Sequence, residues 1–300
     1  MAYVVALLSG TMLWGVAWWP IQVLNAQGLG AVSLTLAANG TAALVLLYPV
    51  LRRWPEVWRA RGILLAIAVG GACWNLAFVG AMAEGEAGRR VLLYYLSSSW
   101  SILGGRVFLG EVIDLRRWVS VVLAFGGAIV VVGISDQDAG GMSWPDALAI
   151  LAGLAHATTN LCFRYAEEVP LCCKNGALFL GSALAATAIF PFLSETAGVL
   201  PTTSVWLAAA VFGAAWVLLA DSLVQYGVSH LSAARSSVLM LAELPMTIVT
   251  AAIIAGDRIS GAELVGGVLI VGAALNELLR PAGAVGSALA VPRAPRLTPG

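Results

Sequence analysis

Runs of about twenty mostly apolar residues recur from one end of this chain to the other, and a helix needs about twenty such residues to cross the hydrocarbon core of a bilayer. That repetition excludes an ordinary soluble domain. Only 11% of the 300 residues are charged, against about 25% in soluble proteins, too few to coat a globule of this size in water. The runs are continuous rather than alternating, so they predict helices and not the strands of a barrel. We place ten spans at 3–24, 32–51, 62–82, 90–109, 117–134, 146–165, 174–193, 204–227, 235–254 and 261–280. The connections at 25–30, 136–141 and 201–204 are short and carry turn formers. The first run lacks a basic leader and continues past Trp14 and Trp18, as a retained span would. The tail 281–300, rich in Pro, Ala and Gly, is expected to be disordered.

Basic residues set the expected orientation. With a cytoplasmic N-terminus, the inner side holds Arg52, Arg53, Arg59, Arg61, Arg106, Arg116, Arg117, Arg164, Lys174, Arg235, Arg280, Arg293 and Arg296. The outer side holds Arg89, Arg90 and Arg258, so the 16 basic residues divide thirteen to three. The excess belongs inside, which puts both termini in the cytoplasm. The 16 acidic residues balance the charge, and no basic face offers itself to nucleic acid. Cys73, Cys162, Cys172 and Cys173 have neither disulfide nor metal-ligand spacing and read as reduced packing residues.

Sliding the chain by 146 residues aligns Leu109-Gly110-Glu111-Val112-Ile113 with Ala255-Gly256-Asp257-Arg258-Ile259, Gly126 with Gly272, and Asn75 with Asp221. Each copy holds five spans, an odd number, so the copies, 1–134 and 146–280, must run in opposite senses through the membrane. Inverted repeats of this kind rock about a site near the bilayer midplane. Leu13-Trp14-Gly15, Leu109-Gly110-Glu111 and Pro245, twelve residues before the Asp257 of Gly256-Asp257, resemble the drug/metabolite transporter superfamily. Within it the chain is most similar to the EamA-type ten-helix exporters, and in length and aromatic content to the YddG-like amino-acid exporters. Glu243 stands one position earlier than the acid that many relatives place directly before this proline. The resemblance implies an all-helical protein of two inverted five-helix repeats around a central cavity, exporting its substrate across a bacterial inner membrane by alternating access. It implies no cofactor.

Polar side chains at membrane depth are costly and therefore informative. Projected at about 100° per residue, Trp14 and Trp18 share a face of the first span. Trp74, Asn75 and Phe78 share one on the third, Tyr94, Ser98 and Ser101 on the fourth, His156 and Asn160 on the sixth, Asp221 and Gln225 on the eighth, and Ser236, Met240, Glu243, Thr247 and Thr250 on the ninth. These faces are expected to line one water-accessible cavity together. Trp18 suits an interfacial belt as well as a cavity. Asn75 and Asp221 suit a hydrogen bond across the repeat axis. Gly126, Gly127 and Gly133 of the fifth span and Gly266, Gly267 and Gly272 of the tenth suit close helix approach. Pro20 and Pro245 are expected to kink their spans.

The expected substrate-binding residues are Trp14, Trp74, Asn75, Phe78, Tyr94, Ser98, His156, Asn160 and Glu243. No Lys or Arg falls deep in a span, which argues against a phosphorylated cargo. A small zwitterion fits: donors for a carboxylate, an acceptor for an ammonium and an apolar wall. Aromatic and other neutral amino acids are favoured, carried by a monomer. The alternative is an exporter of hydrophobic or cationic drugs and metabolites. An intramembrane enzyme would want a nucleophile with its base, paired aspartates or a metal motif. No such set appears, and neither catalysis nor a bound metal is expected.

Overall fold

A computed structural model describes residues 2–82, 87–110, 115–134, 142–192, 201–231, 243–256 and 261–278, with positions 236, 239 and 240. All regular structure among them is helical. The elements are α1 Ala2–Ala26, α2 Ala31–Leu51, α3 Trp54–Arg59, α4 Arg61–Met82, α5 Ala87–Tyr94, α6 Leu96–Leu109, α7 Leu115–Ile134, α8 Trp144–Tyr165 and α9 Leu171–Ile189. After these come α10 Thr203–Val211, a π-helical segment Phe212–Val217, α11 Leu218–His230, α12 Glu243–Thr250, a second π segment Ala251–Ala255, and α13 Gly261–Leu278. Among the described residues, six helices are long and apolar enough to cross a membrane: Ala2–Ala26, Ala31–Leu51, Arg61–Met82, Trp144–Tyr165, Leu171–Phe192 and Thr203–His230. Shorter apolar helices complete the bundle. The tail 281–300 lies outside the described residues.

The halves pack as a swapped pair. α1 lies along α11 while α4 lies along α8, and exchanging the halves turns one pairing into the other. The same exchange relates α6 on α8 to α12 on α1, and α9 on α4 to the π segment on α2. Two pairings map onto themselves, α2 with α9 and α7 with α13. The turn at 110 and the turn at 256 correspond as well. Gly110 and Gly256, 146 residues apart, both end a helix in the left-handed region, at φ 67° and 71°, which only glycine enters without strain. Glu111 and Asp257 lie outside the described residues.

Close crossings depend on glycines other than those expected. A Cβ on Gly213 would stand 2.1 Å from the Ala38 carbonyl oxygen, and one on Gly181 would stand 2.4 Å from that of Ala68. These two contacts are the exchanged forms of one crossing, α2 with the π segment and α4 with α9. Gly126 and Gly272 have nothing within 4 Å of such an atom. The packing role read from the sequence is therefore corrected for these two. Helical periodicity shows that a glycine is present but not which way its bare face points. Pro20 lies inside the continuous helix α1. A break falls at Tyr95, whose N–H is shared between the Val91 and Leu92 carbonyls, at 3.0 and 3.2 Å, where the fourth predicted span divides into α5 and α6.

Ionic groups tie helix ends together. Ser143 and Asp146 form a reciprocal cap on α8, and the Asp146 carboxylate also accepts from Arg89 Nη2 at 2.9 Å, joining the first turns of α5 and α8. At the other end of α8, Lys174 is 1% exposed. Its ammonium donates to the Phe163 carbonyl at 3.2 Å and to Ser229 Oγ at 2.6 Å, and Arg164 Nη1 donates to the Ser229 carbonyl at 3.1 Å. The two cations thus satisfy the C-terminal turns of α8 and α11, where cations are favoured. Lys174→Met should leave two acceptors buried without partners and cost about 1–3 kcal/mol. A lower thermal midpoint in detergent would show it, and an unchanged midpoint would mean the clamp contributes nothing to stability.

Candidate functional site

Two glycines of α1 let the acid-bearing helices come close. A Cβ on Gly10 would meet the Ala220 carbonyl at 2.7 Å and the Val224 nitrogen at 2.9 Å, so only glycine there admits α11 so near. One turn and a half further on, a Cβ on Gly15 would meet Met246 Cβ at 2.8 Å and the Glu243 carbonyl at 3.0 Å. The Trp-Gly pair of the first span thereby sets Trp14 against Asp221, in a cavity wall that Glu243 shares.

The result is a narrow cavity lined by Thr11, Trp14, Trp74, Phe78, Tyr94, His156, Asp221, Val224, Met240 and Glu243. As it stands, it has room for about one water molecule. Five rings close a circuit in its wall. Trp14 and Trp74 have centroids 6.2 Å apart, and Trp74 stacks on His156 at 4.3 Å and 18°. His156 stacks on Tyr94 at 5.3 Å and 12°, Tyr94 meets Phe78 edge-on at 5.1 Å, and Phe78 meets Trp14 edge-on at 5.9 Å. Such pairs contribute about 0.5–1.5 kcal/mol each beyond their burial. They hold α1, α4, α5 and α8 in register.

Two carboxylates join the circuit. Asp221 is wholly buried, Oδ1 accepts from Trp14 Nε1 at 3.2 Å, and Oδ2 has no protein partner. Glu243 is buried at the first turn of α12. The residues lining the cavity include no Lys or Arg. Among the described residues no cluster of three or more His, Cys, Asp or Glu is arranged to hold a metal ion.

Of the nine residues singled out from the sequence, Trp14, Trp74, Phe78, Tyr94, His156 and Glu243 line this cavity. Asn160 sits behind it, bonded to His156 Nε2 and Gln225 Nε2, each at 3.1 Å. Asn75 does not line it: its amide donates to Ser182 Oγ and the Gly71 carbonyl, both at 3.1 Å, and ties α4 to α9. Ser98's side chain lies outside those described. Asn75 and Asp221 do not bond across the repeat axis, since each has a different partner. Trp18 is 2% exposed and donates to Thr250 Oγ1 at 2.9 Å, so it neither belongs to an interfacial belt nor lines the cavity. Asp221 and Met240, which lie on faces expected to line a common cavity though outside the nine, complete the lining together with Thr11 and Val224, which were not expected there. The signal for Asp221 was available, an acid at mid-span on the helix that also carries Gln225.

The EamA-like transporter family matches residues 1–133 and 143–276. The chain belongs to that family. Its two matched segments account for the two-repeat architecture, and the activity of the family is membrane transport. No curated protein matches the chain. A solved crystal structure of another protein superposes with a TM-score of 0.67 at 17% identity, over 94% of this chain and 99% of that one. At that identity the likeness concerns the fold alone.

Proposed function

We propose that this EamA-family protein exports amino acids, aromatic and other neutral ones foremost, across a bacterial inner membrane. Ten spans form two inverted repeats, 1–134 and 146–280, both termini are cytoplasmic, and the protein acts as a monomer. The thirteen-to-three division of basic residues supports the orientation. One observation carries the substrate class: a closed aromatic wall with two buried carboxylates and no lining Lys or Arg. The acids select an ammonium, the rings add cation–π attraction and a surface for an apolar side chain, and phosphate would find no cation to pair with. Because the cavity has room for about one water molecule, an amino acid enters it only by movement of one half against the other, as alternating access requires.

The second reading is an exporter of hydrophobic or cationic drugs. Two acids beside one ring circuit favour it, since an amine without a carboxylate would also be held. Purified protein in liposomes decides between them. Counterflow of labelled phenylalanine, competed by unlabelled leucine and tryptophan more strongly than by phenethylamine, is the expected result. Transport of phenethylamine or quaternary amines with no amino-acid uptake would replace the first reading by the second.

A further inference from the structure

Four buried side chains form a hydrogen-bonded row that runs from behind the cavity into its wall. Gln225 Nε2 contacts Asn160 Oδ1 at 3.1 Å, Asn160 Nδ2 contacts His156 Nε2 at 3.1 Å, and His156 Nδ1 meets the Tyr94 hydroxyl. Tyr94 and His156 line the cavity, whereas Asn160 and Gln225 do not. Such a row has two possible polarities, because an amide can be turned over and a neutral imidazole has two tautomers.

Met240 chooses between them. Its sulfur lies 3.8 Å from Asn160 Nδ2, and a thioether accepts hydrogen bonds but cannot donate. The Asn160 NH2 therefore belongs on the side of Met240 and His156, and its carbonyl faces Gln225 and takes the Gln225 N–H. His156 Nε2 then accepts, so the neutral ring carries its proton on Nδ1 and donates it to the Tyr94 oxygen. The Tyr94 hydrogen is left at the end of the row, on the side of the cavity that Tyr94 lines.

We propose that Gln225 and Asn160 are positioning residues that fix the His156 tautomer, so that Tyr94 presents its hydroxyl proton to the cavity as a donor for the cargo carboxylate. The unpartnered Asp221 oxygen and Glu243 accept from the cargo ammonium, and together these groups select a zwitterion over a simple amine. The inference rests on the amino-acid reading above. It assigns discrimination to Gln225, a residue outside the cavity.

The test reverses the row from its far end. Glu at position 225 can only accept while ionised, so Gln225→Glu should turn the Asn160 NH2 toward it, leave Asn160 Oδ1 against His156, and shift the ring proton to Nε2. Tyr94 then donates to Nδ1 and is lost to the cargo. Asn160→Asp should do the same from the middle of the row, which guards against one variant failing to fold. The chain has 2 His, so 15N spectra of labelled protein, with His230→Asn to assign the signals, read the tautomer directly. Expected are Nδ1–H in the parent and Nε2–H in both variants. Phenylalanine binding should fall about tenfold or more relative to phenethylamine binding in both variants and in Tyr94→Phe. Equal losses for both ligands, unchanged phenylalanine binding, or an Nε2–H parent would each overturn the proposal. A parent that binds phenethylamine but no amino acid would instead remove the transport reading on which it rests.

Discussion

Gly213→Ala should cost the protein much of its folded yield, although it adds one methyl group. The new atom would lie 2.1 Å from the Ala38 carbonyl oxygen and 2.4 and 2.5 Å from its Cα and carbonyl carbon. These are backbone atoms of α2, which cannot rotate aside as a side chain would. Relief therefore requires the two helices to separate along their crossing. Overpacking of a close-packed core costs about 1–3 kcal/mol and occasionally more. A rigid backbone contact more than an ångström too short belongs at the upper end, about 3 kcal/mol. Gly181→Ala should behave alike, since its added atom would stand 2.4 Å from the Ala68 carbonyl oxygen and 2.7 Å from its Cα. Gly126→Ala meets nothing within 4 Å and should be neutral or stabilising by up to about 1 kcal/mol, the helix preference of Ala over Gly. Thermal unfolding in detergent, with size-exclusion profiles, checks the three together. Parent-like melting of Gly213→Ala and Gly181→Ala would mean that the crossings are looser than described.

The contrast among these glycines marks how far sequence reasoning reached. Hydropathy alone anticipated the six helices long and apolar enough to cross a membrane, because about twenty apolar residues have one use in lipid. The 146-residue offset located the turns at Gly110 and Gly256 because backbone chirality leaves few residues able to make them. Direction was harder to read. Gly126 and Gly213 are equally glycine, and only the packed partner tells which one is pressed against a carbonyl. The same limit separates Trp14 from Trp18. They stand four residues apart on one face, yet one meets Asp221 at the cavity and the other bonds to Thr250. Asn75 and Asp221 are repeat partners in sequence and diverge in use, because Ser182 is at hand for Asn75 and Trp14 for Asp221. A polar residue at depth thus announced that it needed a partner without saying whether that partner was protein or cargo.

That distinction makes the two carboxylates the most sensitive positions for transport. Asp221→Asn should keep the fold, because the amide oxygen can still accept from Trp14 Nε1. It should nevertheless weaken ammonium binding about a hundredfold, since a hydrogen bond to a charged group in a dry site is worth about 1.5–3 kcal/mol and the unpartnered Oδ2 has no other evident use. An ionised acid at membrane depth costs about 2.5–3.5 kcal/mol when alone, so an arriving cation relieves a penalty as well as forming a bond. Glu243→Gln separates two roles. If Glu243 also holds the ammonium, Gln should weaken binding in every assay. If it carries a coupling proton, exchange of substrate across liposomes should persist while acceleration by a pH gradient disappears. Counterflow and pH-gradient uptake, measured on both variants with phenylalanine, read these outcomes. Parent-like activity of Asp221→Asn would show that its free oxygen is a packing feature. Parent-like activity of both variants would leave the ring circuit as the whole binding surface and transport driven by concentration alone.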